Sequence, residues 1–150
     1  MDTTAPLPPT GFLDRFTTGM SPAWGECFIR NLQEWTTSNH DVARHRHAHV
    51  IPTEAEYIPM RRVTSALVWF YDLIEYANGE ELPSTFHHST AYWSLMEPIT
   101  DATAFANDLY SAHKEHARGE THNLPTILRH HHSYSWQEAV DATAAQVITI

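Results

Sequence analysis

The chain has 150 residues, room for one domain. It carries 9 Lys and Arg against 18 Asp and Glu, a formal charge of −9. That balance argues against nucleic acid as a partner, because binding a polyphosphate needs a basic patch that displaces counterions.

In chain order, residues 1–20 hold Pro6, Pro8, Pro9, Gly11 and Gly19 and show little periodicity. They are expected to form a flexible lead-in to a folded part over 21–150. Ser21-Pro22 reads as an N-cap and first helical residue. Trp24, Phe28, Leu32 and Trp35 then recur at helical spacing, and this helix is predicted to end near Ile51-Pro52, because a residue before proline resists the helical region. Thr53 opens the next helix, with Glu54 and Glu56 in its first turn. Its apolar pattern runs from Tyr57 to Ile74 and stops at Asn78-Gly79, a C-cap signal. Pro59 is expected to kink or restart it, and Thr64-Ser65 is a weak point, since both hydroxyls compete for backbone groups.

Ser84 is predicted to cap a short helix through Met96, and Pro98 to kink or restart the chain before a strong helix to Arg118-Gly119. Asn123-Leu124-Pro125 begins a short helix ending in His130, His131 and His132. Ser135 and Glu138 make a capping box whose helix reaches Ile150. Nothing alternates like a strand, so the class is all-α, with about five helices. The longest uncharged apolar run near the middle, Ala66 to Tyr71, falls short of the roughly 20 residues that cross a membrane. Met1-Asp2-Thr3-Thr4 is not a secretory leader, and the single cysteine, Cys27, suits a cytoplasmic location.

Chemistry concentrates in residues 107–115, Asn-Asp-Leu-Tyr-Ser-Ala-His-Lys-Glu. Asn107, Ser111 and Glu115 are spaced i, i+4 and i+8, so all three share one helix face. An amide oxygen, a hydroxyl and a carboxylate are hard donors suited to Mg²⁺, with Mn²⁺ also possible. Lys114 adds a cation that can reach a phosphate. On spacing alone, the same three residues also fit a solvated polar face.

The string 107–115 resembles, position by position, the Asn/Asp-Asp-x-x-Ser/Thr-x-x-x-Glu metal motif of class I terpene synthases, including the Lys before the Glu. The likeness to bacterial and fungal sesquiterpene cyclases continues downstream through Ala117-Arg118-Gly119-Glu120, His122-Asn123-Leu124 and Ser135-Trp136-Gln137-Glu138-Ala139. Upstream, Glu56-Tyr57 and Arg61-Arg62-Val63-Thr64-Ser65 resemble the segment that carries the diphosphate-sensing arginine, which in the family lies 46 residues before the motif asparagine, as Arg61 does here. Together the likeness covers roughly residues 18 to 150.

The resemblance implies the isoprenoid synthase helical fold and ionisation of a prenyl diphosphate such as farnesyl diphosphate. It assigns Arg61 as sensor, Thr64 as linker and Ser65 as effector at a break in the sensor helix. Arg61 and Lys114 would hold the diphosphate, and Asn107, Ser111 and Glu115 the metal. Helical projection adds Ser65, Val68, Trp69, Asp72, Thr100, Thr103 and Ala104 as candidate cavity walls.

Two family features are missing. The chain has no Asp-Asp pair, so it lacks the aspartate-rich motif, and Glu80-Glu81 follows the sensor instead of preceding it. The terminal Arg-Tyr pair is also absent, and family members are about twice as long. The expectation is therefore a truncated cyclase, about half of the usual α-barrel, with little or no activity alone and with a homo-oligomer or complementing fragment as partner. Two other readings compete: a non-catalytic helical partner-binding module, and a His-rich metal-binding protein using His45-x-His47-x-His49 or His130 to His132. On a helix, residues i and i+2 point about 200° apart, so His45 and His47 cannot share a metal unless the helix has ended.

Overall fold

Helices begin where capping side chains stand. In the computed structural model, which describes Gly11 and residues 17–149, α1 spans Pro22–His47. Ser21 Oγ accepts the Trp24 N–H at 3.2 Å, and Pro22 occupies the first turn, where no N–H is needed. Helix α2, Glu54–Thr64, starts with a full capping box: Thr53 Oγ1 accepts from Glu56 N–H, and Glu56 Oε2 accepts from Thr53 N–H at 2.8 Å. After α3, Leu67–Asn78, and the short α4, Ser84–His87, Ser89 caps α5, Thr90–Ala117, by accepting the Tyr92 N–H. Helix α6, Leu124–His132, is followed by α7, Trp136–Thr149, entered through the predicted Ser135–Glu138 box. No strand occurs among the described residues, and none of the described helices is long and apolar enough to cross a membrane. Most of the predicted lead-in, together with Ile150, lies outside the described residues.

Three helix ends share one geometry. Val50, Glu80 and Glu120 donate their N–H to the carbonyls of His45, Glu75 and Glu115, while His49, Gly79 and Gly119 take φ of 53°, 66° and 73°. This corrects the predicted end of α1. A left-handed turn at His49 stops the helix at His47, before Pro52 can act. Three other expectations change. Pro59 and Pro98 sit inside continuous helices, because each removes a single backbone bond while the buried face around it stays packed. Ser84 opens only α4, and Ser89 resets the cap, so the described residues hold the seven helices named above where about five were expected.

The weak point at Thr64-Ser65 is a true break between α2 and α3. Ser65 Oγ donates to Arg62 O at 2.9 Å and accepts from Leu67 N–H, and Ala66 adopts φ 68°. A side chain in that left-handed region costs about 1–2 kcal/mol, so the neighbouring helices must hold the turn.

The main core joins α2, α5, α6 and α7 through Tyr57, Ala104, Phe105, Leu124, Ile127, Leu128 and Ala139. A buried carboxylate ties three of these helices. Asp108 on α5 is 1 % exposed. Its Oδ1 lies 2.8 Å from Arg61 Nη2, and its Oδ2 accepts from Tyr57 OH at 2.5 Å and from Leu124 N–H at 3.0 Å. Burial pushes the Asp108 carboxyl upward, opposed by Arg61, Tyr57 and the Leu124 N–H, while burial and the Asp108 charge raise the Tyr57 phenol. On the other side of the molecule, α1 meets α3 where Asn31 Nδ2 donates to Asp72 Oδ2 at 2.8 Å.

Removing the Asp108 carboxylate leaves Arg61 facing the interior without its charged partner. Asp108→Ala is expected to lower unfolding free energy by about 3–5 kcal/mol in urea titrations. Arg44→Ala, which breaks an exposed pair with Asp41, is expected to change it by less than about 1 kcal/mol. Equal effects would show that the buried tie carries no special weight.

Asp72 makes a pH prediction of opposite character. Burial pushes its carboxyl up to about 6 from 3.8. The folded state then binds more protons than the unfolded state between these values, so this residue's contribution to stability falls as pH rises through about 6. In Asp72→Asn the amide oxygen still accepts from Asn31, and this part of the pH dependence is expected to vanish from a series of melting curves. A variant with the same profile as the unsubstituted chain would exclude Asp72 as its source.

Candidate functional site

The predicted site residues sit where α2, α5 and the turn after α5 meet. Arg61 Nη2 donates both to Asp108 Oδ1 and, at 2.9 Å, to Asn107 Oδ1. The two residues that the sequence separates by 46 positions are thus in direct contact. Arg61 Nε is buried and has no acceptor among the described residues, and the Arg61 side chain lines a neighbouring cavity.

Along α5, Asn107 is exposed, Ser111 is buried and Glu115 is half-buried. Ser111 and Glu115 meet a residue that sequence reasoning had not singled out. Asn123 Nδ2 lies 3.0 Å from Glu115 Oε2, 2.8 Å from the Asp108 carbonyl and 3.4 Å from Ser111 Oγ. The oxygens of Asn107, Ser111 and Glu115 are a hard donor set on one face, as a divalent cation of the Mg²⁺ type requires.

A cavity of about 240 Å³ opens beside this face. Arg61, Thr64, Lys114 and Glu115 line it, and Arg46 and Arg118 add further positive charge. Asn107 and Ser111 are not on its lining. Ser65 lies at the helix break, outside this cavity. Arg46 is paired with Glu120 at 2.6 Å. His122 Nε2 lies 3.4 Å from His45 Nδ1, and burial, with His45 and Arg46 nearby, holds His122 down at about 4.

The neighbouring Arg62 has a different destination. It binds Asp101 through two bonds of 2.8 and 2.7 Å and Glu97 at 3.0 Å, which leaves it structural. Of the projected cavity walls, Val68, Trp69 and Thr100 line one cavity of about 340 Å³ with Trp35 and Trp93. Ser65, Asp72, Thr103 and Ala104 are not on that lining. Asp72 and Ala104 are packed inside the chain instead: the break at Ala66 takes Asp72 on α3 out of a continuous projection from Arg61, and Ala104 on α5 belongs to the main core.

The histidine clusters do not assemble. Among the described residues, no three His, Cys, Asp or Glu side chains come together to hold a metal. His131 Nε2 contacts the Pro52 carbonyl at 3.0 Å, and His132 lies 3.8 Å from Glu54. His116, off the motif face, packs edge-on against Trp136.

Asp108, Tyr57 and Asn123 are the residues that the sequence left unassigned. Asp108 stands inside the motif string and Asn123 inside His122-Asn123-Leu124, so their positions were visible, but not their inward direction.

Comparison with known proteins agrees with this geometry. The chain is 33% identical over 127 residues to (-)-delta-cadinene synthase of Streptomyces clavuligerus, covering 85% of this chain and 39% of that protein. It is 32% identical over 139 residues to pentalenene synthase of Streptomyces avermitilis, covering 90% of this chain and 41% of the relative. The crystal structure of linalool/nerolidol synthase from Streptomyces clavuligerus superposes with a TM-score of 0.85 at 25% identity, over 98% of this chain and 53% of that one. The chain therefore spans about two fifths of the length of these curated relatives and about half of the solved neighbour. Residues 10–149 match the family model described as terpene synthase family 2, C-terminal metal binding, and the chain belongs to that terpene synthase family, whose domain binds a metal.

Proposed function

We propose that this chain forms one side of a class I terpene cyclase centre, acting in the cytoplasm on a prenyl diphosphate such as farnesyl diphosphate. The observation that carries the reading is the contact between Arg61 and Asn107, made by a guanidinium that also lines the cavity beside the motif face. In this reading Asn107, Ser111 and Glu115 hold Mg²⁺, and Arg61 and Lys114 bind diphosphate oxygens. Bound there, the metal neutralises the charge that grows on the leaving diphosphate. Arginine suits the sensor role because its planar fork gives two hydrogen bonds to phosphate oxygens. Thr64 lines the cavity beside Arg61 as linker, and Ser65, at the turn where the helix breaks, is the effector.

In this reading the folded unit expected over 21–150 supplies this side of the centre. The sequence has no Asp-Asp pair to face the motif across a diphosphate. Phe70, Ile74, Leu95 and Ile99 are each at least half exposed on α3 and α5, and apolar surface of this kind marks a contact. A second copy or a complementing fragment would cover it.

The metal reading is tested by calorimetry. Mg²⁺ binding is expected to be weak alone and stronger with inorganic diphosphate, whose oxygens complete the octahedron. Glu115→Ala is expected to abolish the diphosphate-dependent part. Identical titrations with and without diphosphate in both proteins would remove the assignment.

The activity prediction is negative. With charge neutralised from one side only, each 1.36 kcal/mol of lost transition-state stabilisation costs about tenfold in rate. Water also reaches an open cavity and quenches a cation. The 150-residue chain is expected to give no cyclic hydrocarbon from farnesyl diphosphate and Mg²⁺ by gas chromatography. A product that disappears in Asn107→Ala would overturn this and show that the chain completes its own centre.

A further inference from the structure

Asn123 stands at the N-cap of α6, a position where asparagine ordinarily accepts a backbone N–H from its own helix. Here the side chain makes no such bond. It is turned toward α5, is 0 % exposed and meets three acceptors: the Asp108 carbonyl at 2.8 Å, Glu115 Oε2 at 3.0 Å and Ser111 Oγ at 3.4 Å. An amide flip would place an oxygen against a carbonyl and a carboxylate, so the network fixes the nitrogen on this side. The amide oxygen is buried and has no partner among the described residues. The position thus forgoes a helix cap and leaves one acceptor unmet in order to direct two N–H groups at the motif helix.

The turn after α5 makes this possible. Gly119 at φ 73° reverses the chain, and the Glu120 N–H bonds back to the Glu115 carbonyl. Asn123 is thereby brought beside a residue eight positions earlier. We infer that Asn123 is a positioning residue for the metal motif, holding Glu115 Oε2 so that the carboxylate presents its other oxygen to a divalent cation. The inference rests on the metal role of Glu115 proposed above. The bond is charge-assisted, and partners of this kind typically change metal affinity about 10–100-fold when lost.

The experiment titrates the full chain with Mg²⁺ in the presence of inorganic diphosphate. Asn123→Ala is expected to weaken binding about 10–100-fold. Asn123→Ser, which keeps a hydroxyl donor at the same place, separates positioning from packing and is expected to recover part of the affinity that Asn123→Ala loses. A full-strength Asn123→Ala, or an Asn123→Ser that binds no more tightly than Asn123→Ala, overturns the role of Asn123 and leaves the metal reading intact. If Asn123→Ala does not fold, Asn123→Leu, of similar volume and without a donor, takes its place in the comparison. Absence of diphosphate-dependent binding by the unsubstituted chain overturns the metal reading itself, and this inference with it.

Discussion

A carboxylate that water cannot reach must be answered inside the protein, and Asp108 sets that requirement for the rest of this structure. Moving an ion of its size out of water costs several kcal/mol unless it is paired and hydrogen-bonded. Three partners answer it from two other helices: Arg61 and Tyr57 from α2, and the Leu124 N–H at the start of α6. Satisfying one charge therefore fixes the register of α2 and α6 against α5. It also brings Arg61 to the exposed end of the same turn, where Asn107 stands. The position of the candidate site follows from an electrostatic constraint in the core.

The adjacent arginines show how small the difference is between a structural and a reactive cation. Arg62 commits its fork to Asp101 and a further nitrogen to Glu97, and the Asp101 bonds raise its pKa further. Arg61 uses a single nitrogen for both Asp108 and Asn107, and its Nε stays buried and unpaired. Neighbours on a helix point about 100° apart, so one residue of register separates a closed ion pair from a guanidinium with donors to spare.

What was legible in the sequence was what depends on near neighbours. Ser21-Pro22, the helix start at Thr53, the Ser135 box, Gly79 and Gly119 were read correctly because a cap or a chain reversal is a local event. The spacing of Asn107, Ser111 and Glu115 was also visible, since a regular helix converts number into direction, whereas their relation to Arg61 came from the family resemblance alone. The end of α1 was misplaced because His49, unlike glycine, gives no signal for positive φ. Asp72 was projected onto a wall because one continuous helix from Arg61 was assumed, whereas Ala66 resets the phase; Thr103 and Ala104, on the unbroken α5, were projected there because spacing alone does not say what a helix face packs against. Asp108, Tyr57 and Asn123 escaped notice because their partners are distant in the chain: Asp108 lies 51 positions from Tyr57 and 16 from Leu124, and Asn123 lies 8 from Glu115, and nothing in a pattern of types states which residue turns inward.

The contrast between Asn107 and Asp108 explains why a neutral group suits the first position. Arg61 bridges both residues with one nitrogen. A carboxylate at each position would place two negative charges around a single guanidinium and hold it tightly. With an amide at Asn107, the bond there is an ion–dipole contact, weaker than the bond to Asp108. In the proposed reading, Arg61 can exchange the Asn107 oxygen for a phosphate oxygen while Asp108 keeps the guanidinium in place. The Asn107 amide oxygen would then be free to hold a cation. The exchange leaves no buried charge unpaired, because the charge that could not be abandoned is the one on Asp108.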